Sequence, residues 1–356
     1  MIALLLACLA QDGEIDRLLS AHDQKMRAAG SPGEGRRVLA ETRAKLDAFV
    51  KEHPKHPDVP RAAWHAAESL LATGELDPAL ERLRALVRDH PDAAPSSNAR
   101  FAIGEALLDK EDWAGARAAA ADFLQRHPKD ERAFFAKALT GSAFAAEGDY
   151  DRAAETLRAA RDAHKERPES WGALLQIAVY RHAQERNDDA RRALDEVIQN
   201  CPDRDTQELA RLHLSAYLKL GGERPAVAGK DLKGADAGAD ALAGKVSVIY
   251  FFDSTFTQAV GEIRSLKKIR EALPDLAILG VSVDLDRKDL AAFAARERPD
   301  WPLLHDGKGY DGGAARAYDV RRVPSLWICD RKGRLRYHNL AGPDLRRAIA
   351  GLLQEK

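Results

Sequence analysis

Apolar and small residues run along the first 220 positions in a helical rhythm that is itself repeated. WHAAESLLATGELDPALERLRALVRDHP, FAIGEALLDKEDWAGARAAAADFLQRHP and ALTGSAFAAEGDYDRAAETLRAARDAHKERP each space their apolar positions three and four apart, pause at a short polar turn, resume, and stop at a proline. Each run therefore predicts two amphipathic helices. Ala79, Ala116, Ala153 and Ala190 recur every 37 residues, and Pro54, Pro91 and Pro128 keep the same step. Pro202 lies two steps beyond Pro128, and Pro168 stands near the missing beat. A fourth unit, LLQIAVYRHAQERNDDARRALDEVIQNCP, is weaker. LAETRAKLDAFVKEHP supplies the second helix of an earlier unit, with Ile15 to Ala28 as its first, and Thr206 to Leu220 reads as a closing helix. One such unit cannot bury its apolar face alone, so the core is built by stacking. The small residues let neighbouring helices approach, and each proline ends a helix by removing a donor.

From Gly221 the pattern changes. Residues 221–245, GGERPAVAGKDLKGADAGADALAGK, are rich in Gly, Ala and Asp and read as a linker and loop-rich lead-in. Strand-like and helix-like runs then alternate: VSVIYFF, TQAVGEIRSLKKIREAL, LAILGVSVD, RKDLAAFAARER, a short AARAYDV, two adjacent strands SLWICD and GRLRYH, and a final DLRRAIAGLLQE. That alternation predicts an α/β domain with a mixed sheet. The chain is thus expected to be multidomain, with an all-α helical solenoid over 14–220 followed by an α/β fold over 246–356.

Composition sharpens this picture mostly by exclusion. A chain of 356 residues has room for two cores. Its 56 acidic and 55 basic residues nearly cancel, with no basic stripe interleaved with aromatics, so nucleic acid is not an expected partner. Cys8, Cys201 and Cys329 are far apart and form no C-x-x-C pair or Cys/His cluster, so neither a disulfide framework nor a metal site is expected, and no cofactor is implied. His53, His90 and His127 precede the repeat prolines; equivalent solenoid positions are displaced by one repeat each, so they read as helix-end histidines facing the dipole. Asp284 and the DGKGYDGG loop with Asp306 and Asp311 read as Gly/Asp turns. Residues 1–10, MIALLLACLA, read as the remnant of a signal peptide, cut after Cys8-Leu9-Ala10 or carrying a lipoprotein-type LLAC box that ends at Cys8. The run is short and lacks a basic flank, and the competing reading is the apolar first turn of a helix. The expected location is the periplasm or cell envelope, with membrane contact only through a lipid anchor at Cys8, or the cytoplasm if the run is no signal.

The repeats resemble tetratricopeptide repeats. Gly104 with Leu107, Gly141 with Phe144, and Ala153 with Leu157 fill that family's slots, although a step of 37 exceeds the usual 34. Repeats that end in "HP" are common in its bacterial envelope members. The resemblance implies a groove lined by first helices that holds a segment of a protein or peptide partner; the alternative is a spacer.

The last 135 residues or so resemble the redoxin family, thioredoxin-like proteins that include TlpA/ResA-type thiol-disulfide oxidoreductases and the peroxiredoxin-like AhpC/TSA proteins. GERPAVAGKDLKG is similar to the family's amino-terminal hairpin, ALAGKVSVIYFF to its first core strand, and AYDVRRVPSLWICDRKGRL to its second half, where Val323-Pro324 matches the cis-proline that faces the active site. FFDSTFTQAVGEIRSL aligns without a gap on F-W-A-x-W-C-x-x-C-x-x-E-x-P-x-L, with Glu262 on the family's acid position. The two cysteine positions then fall on Phe256 and Ala259. A reductase needs a thiolate activated at the helix N-terminus and a second thiol to resolve the mixed disulfide, and peroxidase chemistry needs a cysteine in the same segment. Phe and Ala supply neither. Arg264 replaces the proline two residues after Glu262, and Thr255 with Gln258 suggests a capping box that keeps the helix start. Cys329, between Ile328 and Asp330, reads as a small buried residue. The expectation is a non-catalytic protein-binding or scaffolding protein, with Phe256, Thr257, Val323 and Pro324 as candidate peptide contacts. The alternative is a thiol-disulfide oxidoreductase or peroxiredoxin-like protein that uses Cys201 or Cys329. A third reading makes the α/β domain a cap on the solenoid, which would bury Phe256.

Overall fold

The computed structural model describes residues 13–232, 234–238 and 242–355; the run at 1–10, and with it the signal or anchor expected at Cys8, lies outside them. No described helix is long and apolar enough to cross a membrane. The chain forms two compact units, Met1–Glu147 and Gly148–Lys356.

The first unit holds α1 (Glu14–Ala28), α2 (Pro32–Glu52), α3 (Val59–Thr73), α4 (Leu76–Asp89), α5 (Ala94–Asp109), α6 (Trp113–Arg126) and α7 (Ala133–Ala146). Its 37-residue rhythm is a packing rhythm: Ala79 and Ala116 are fully buried. A Cβ added at Gly104 would stand 3.3 Å from Leu139 Cδ1 and 3.7 Å from the Ala116 carbonyl, so three successive helices meet where the residues are smallest. Asp112 starts α6 by accepting the Gly115 N–H at 2.9 Å. α2, α4 and α6 end at His53, His90 and His127, each followed by proline. The rings of His53 and His127 pack on Phe49 and Phe123 one turn back, at centroid distances of 5.2 and 5.3 Å. Among the described residues no group of three or more His, Cys, Asp or Glu is placed to hold a metal.

The second unit continues the repeats with α8 (Tyr150–Ala163), α9 (Ser170–Ala183), α10 (Asn187–Asn200) and α11 (Arg204–Tyr217), for eleven described repeat helices. Ala153 and Ala190 are again fully buried. α8 ends at His164 and α10 at Cys201, so the cysteine occupies the place in the series that histidine holds in four earlier units.

The α/β part follows in the same unit. β1 (Ala228–Lys230) and β2 (Asp236–Gly238) form a hairpin. Then come β3 (Ser247–Phe252), α12 (Thr257–Ala272), β4 (Ala277–Ser282), α13 (Arg287–Glu297), β5 (Leu303–Leu304), a 3-10 turn (Gly309–Asp311), α14 (Gly313–Ala317), β6 (Ser325–Cys329), β7 (Leu335–His338) and α15 (Gly342–Gln354). The sheet runs β5-β4-β3-β6-β7, with β3, β4 and β5 parallel and β6 and β7 antiparallel. Every residue of β3 is buried, as a central strand covered on both faces requires. Val248, Tyr250 and Phe252 face α12, α13 and α15, while Phe251 meets Tyr318 on the other side.

The stretch read as a linker is paired structure. Gly221 N–H donates to the Leu335 carbonyl at 2.8 Å, Leu335 N–H to Gly222 at 2.9 Å and Arg224 N–H to Gly333 at 2.7 Å, covering the free edge of β7. At the opposite edge Asp231 bridges to Leu304. α12 is unbroken at Arg264, which pairs with Glu297 at 3.0 Å.

Candidate functional site

Phe251 of β3 stands opposite Ser325 of β6, which brings the loop before α12 and the Val323-Pro324 turn to the same end of the sheet. Asp284, buried at the end of β4, fixes the first of these loops by accepting the Ser254 hydroxyl at 2.7 Å and the Ser254 N–H at 3.1 Å, and it also takes the Ser282 hydroxyl. Asp306 works similarly in its own turn, accepting the N–H groups of Lys308 and Gly313. Thr255 does not cap α12: its hydroxyl donates to Asp253 at 2.6 Å, and Phe256 becomes an N-cap residue with no side-chain bond. The capping box fails because an aspartate two residues back offers a closer acceptor.

Phe256 is 50% exposed, whereas Ala259, at 3%, belongs to the domain core. The reading of the α/β part as a mere cap required a buried Phe256, and half of that side chain stays exposed. Glu262 is half-buried on α12, and burial raises its carboxyl above the usual range. Its nearness also adds to the burial that suppresses ionisation of Tyr250. The described cysteines, Cys201 and Cys329, are buried and unbridged. Burial pushes the Cys329 thiol up to about 11, against the opposing pull of Arg224 and Ser247. A nucleophile must be a thiolate, so this sulfur is poorly suited to redox exchange.

The Val323-Pro324 peptide is cis. Phe256, Val323 and Pro324 line one cavity of about 670 Å³ whose other wall is α11, through Leu209, Leu212 and His213. Thr257, exposed on the first helical turn, is not part of its lining. Lys219, Arg321 and Arg322 bring three cations to the lining against one carboxylate, Asp319. Asp319 accepts from Ser215 at 3.1 Å and Arg321 at 3.0 Å and lies 3.5 Å from Lys219. Arg322 is exposed and makes no ion pair among the described residues.

Behind the cavity lies a cluster of imidazoles. His182 Nε2 accepts the His338 N–H at 2.9 Å, which leaves Nδ1–H to donate to Asn187 at 2.9 Å. Burial pushes His182 down to about 4 and also lowers His213 and His338. His213 Nδ1, His338 Nδ1 and Trp327 Nε1 are buried without a hydrogen-bond partner among the described residues. His213, Trp327, His338, Tyr310 and Arg322 carry no local motif and were not marked by the sequence pattern.

The first unit has a separate cleft of about 870 Å³ between first helices, lined by Trp64, Glu68, Phe101, Glu105, Asp130 and Arg132. Trp64 and Phe101, and likewise Glu68 and Glu105, occupy equivalent places one 37-residue step apart. Asp130 clamps Arg132 with contacts of 2.9 and 2.7 Å, and Glu68 pairs with His65 at 2.9 Å. Burial, and secondarily Asp109, raises the Glu105 carboxyl.

The tetratricopeptide repeat family model matches residues 39–98, 67–131 and 139–205, and that of the AhpC/TSA family matches residues 220–338. No curated protein matches the chain. Among solved structures, the chain is similar to the thioredoxin domain of a thiol-disulfide oxidoreductase from Bacteroides vulgatus, at 23% identity over 38% of this chain and 98% of that one, with a TM-score of 0.36. A thiol-disulfide oxidoreductase from Bacteroides fragilis is similar at 20% identity over 36% and 98% of the two chains, with a TM-score of 0.34. A thiol:disulfide interchange protein from Bacteroides sp. is similar at 25% over 37% and 88%, with a TM-score of 0.34. The chain is a tetratricopeptide repeat array followed by an AhpC/TSA-family thioredoxin-like domain that holds no cysteine pair among its described residues.

Proposed function

We propose that the protein is a non-catalytic binding or scaffolding protein of the bacterial cell envelope. The repeat cleft and the thioredoxin-like face each hold a segment of a protein partner. The observation that carries this reading is the replacement of both thiol positions by Phe256 and Ala259, with Phe256 half exposed on the rim of a cavity and Cys329 buried as a thiol. An aromatic residue at that place favours holding a chain over exchanging electrons with it. In the repeat cleft, the Trp64/Glu68 and Phe101/Glu105 pairs suit a partner segment that alternates apolar and cationic side chains. The envelope location rests on the apolar run at 1–10 and the "HP" repeat endings.

The direct test is dithiothreitol-driven reduction of insulin by the full-length protein beside the Cys201→Ser/Cys329→Ser double variant. Background rates in both are expected. Turnover that vanishes in the double variant would replace this reading with an oxidoreductase that uses an unusual thiol. Fractionation of the native host addresses location, and recovery in the soluble cytoplasm removes the envelope part alone.

A further inference from the structure

We propose that the cavity between α11 and the thioredoxin-like face recognises the C-terminal carboxylate of an extended protein segment whose last side chains are apolar. The inference rests on the protein-binding reading above and names the chemistry of the partner at that face.

The cavity, about 670 Å³, is of the size that accommodates compact ligands. Leu209 and Leu212 from α11 stand on one side and Phe256, Val323 and Pro324 on the other, giving an apolar slot. The polar groups in its lining are rich in donors. The Trp327 indole N–H, which can only donate, has no partner among the described residues. His338, 8% exposed, has Nδ1 unpartnered while Nε2 lies 3.2 Å from the Ser325 hydroxyl. When that hydroxyl donates to Nε2, Nδ1–H becomes a second donor. His213 Nδ1 is also unpartnered. Lys219, Arg321 and Arg322 outnumber Asp319, which is already engaged by Ser215, Arg321 and Lys219. A ligand that brings acceptor oxygens and negative charge meets charge-assisted donors at this cation-rich lining.

A chain end fits this pattern better than a chain passing through. An internal segment brings only neutral backbone amides to Lys219, Arg321 and Arg322, whereas a chain end brings a full negative charge. A terminal carboxylate instead draws on side-chain donors and presents its last side chains to the leucine and phenylalanine walls. The wall that completes the site comes from a repeat helix, so recognition belongs to the joined second unit.

The probe is a random hexapeptide library made in two isotopically distinct forms, C-terminal acid and C-terminal amide, passed over immobilised full-length protein and read by mass spectrometry. Retention of acids over amides by at least tenfold is expected, with apolar residues enriched at the last two positions. Arg322→Glu, at an exposed and unpaired site, is expected to lower acid retention at least tenfold with an unchanged circular dichroism spectrum. Equal retention of acids and amides, both lost in Phe256→Asp, overturns carboxylate recognition and leaves peptide binding at this face intact. Dodecanoate displacing the best acid peptides at equal concentration overturns the commitment to a protein terminus. Retention of neither form by the wild type overturns the inference and peptide contact at this face together, while capture by the repeat cleft is read separately with Glu68→Lys/Glu105→Lys.

Discussion

Two buried residues decide how the protein responds to its chemical surroundings. With its thiol pushed up to about 11, Cys329 presents roughly one thiolate in a thousand at pH 8, and the chain around it excludes reagent. Iodoacetamide at that pH is expected to leave Cys329 and Cys201 unmodified in the native protein and to label both in urea; rapid native labelling of Cys329, seen by peptide mass spectrometry, would contradict its burial. His182 ties stability to pH. It is held neutral, pushed down to about 4 by burial, whereas the unfolded chain titrates near 6.5. The unfolded state therefore binds more protons between those values, so stability is complete above about pH 6.5, falls as pH drops, and has lost this contribution below about pH 4. The loss is on the order of 3 kcal/mol from His182, with His213 and His338 acting in the same direction. Urea midpoints across pH 4.5 to 7.5 test this, and His182→Leu should flatten the slope. The same variant leaves the buried His338 N–H without its acceptor, at a cost of about 1–3 kcal/mol at neutral pH.

Among the elements, the repeat helices show why a 37-residue rhythm is legible in the sequence. The spacing marks places where helices touch, and contact there admits only small side chains. Ala116→Leu forces a larger side chain into a site with no exposure and should cost about 1–3 kcal/mol. Ala118→Leu, two residues on and exposed, should stay within about 0.5 kcal/mol. Urea denaturation of the two variants side by side checks the contrast, and equal midpoints would mean that the small-residue rhythm has no packing role. The strands and helices of the α/β part were legible for the same reason, since β3 and α12 carry strong periods. β5 was not, because two residues have no period to read, and the start of α12 was misread because Asp253 outcompetes Gln258 for Thr255. The cavity wall escaped entirely. His213, Trp327 and His338 lie on three separate elements, and only the β6–β7 pairing and the docking of α11 bring them together.

At the scale of the second unit, the change in sequence pattern near Gly221 is a boundary of secondary-structure type but not of packing. Glu185 on the repeat side accepts from Arg336 at 2.8 Å and from the Tyr337 hydroxyl at 2.5 Å, Tyr150 donates to Asp344 at 3.0 Å, and His182 takes the His338 N–H. Gly221 and Gly222 then pair with Leu335 along the sheet edge. A fragment of residues 221–356 keeps the sheet but loses the face that covers Tyr337 and His338, and leaves the His338 N–H with no protein acceptor. Each such loss costs about 1–3 kcal/mol against a total stability of about 5–15 kcal/mol for a domain of ordinary size. Residues 148–356 are therefore expected to unfold in one cooperative thermal transition. Residues 221–356 should melt at least 10 °C lower and bind an apolar dye such as anilinonaphthalene sulfonate before they unfold. Equal melting temperatures for the two fragments would show that the contacts with the last repeats orient the thioredoxin-like domain without stabilising it. A lower temperature for the shorter fragment would mean that the thioredoxin-like domain forms a shared core with the helices that carry α11 to the cavity.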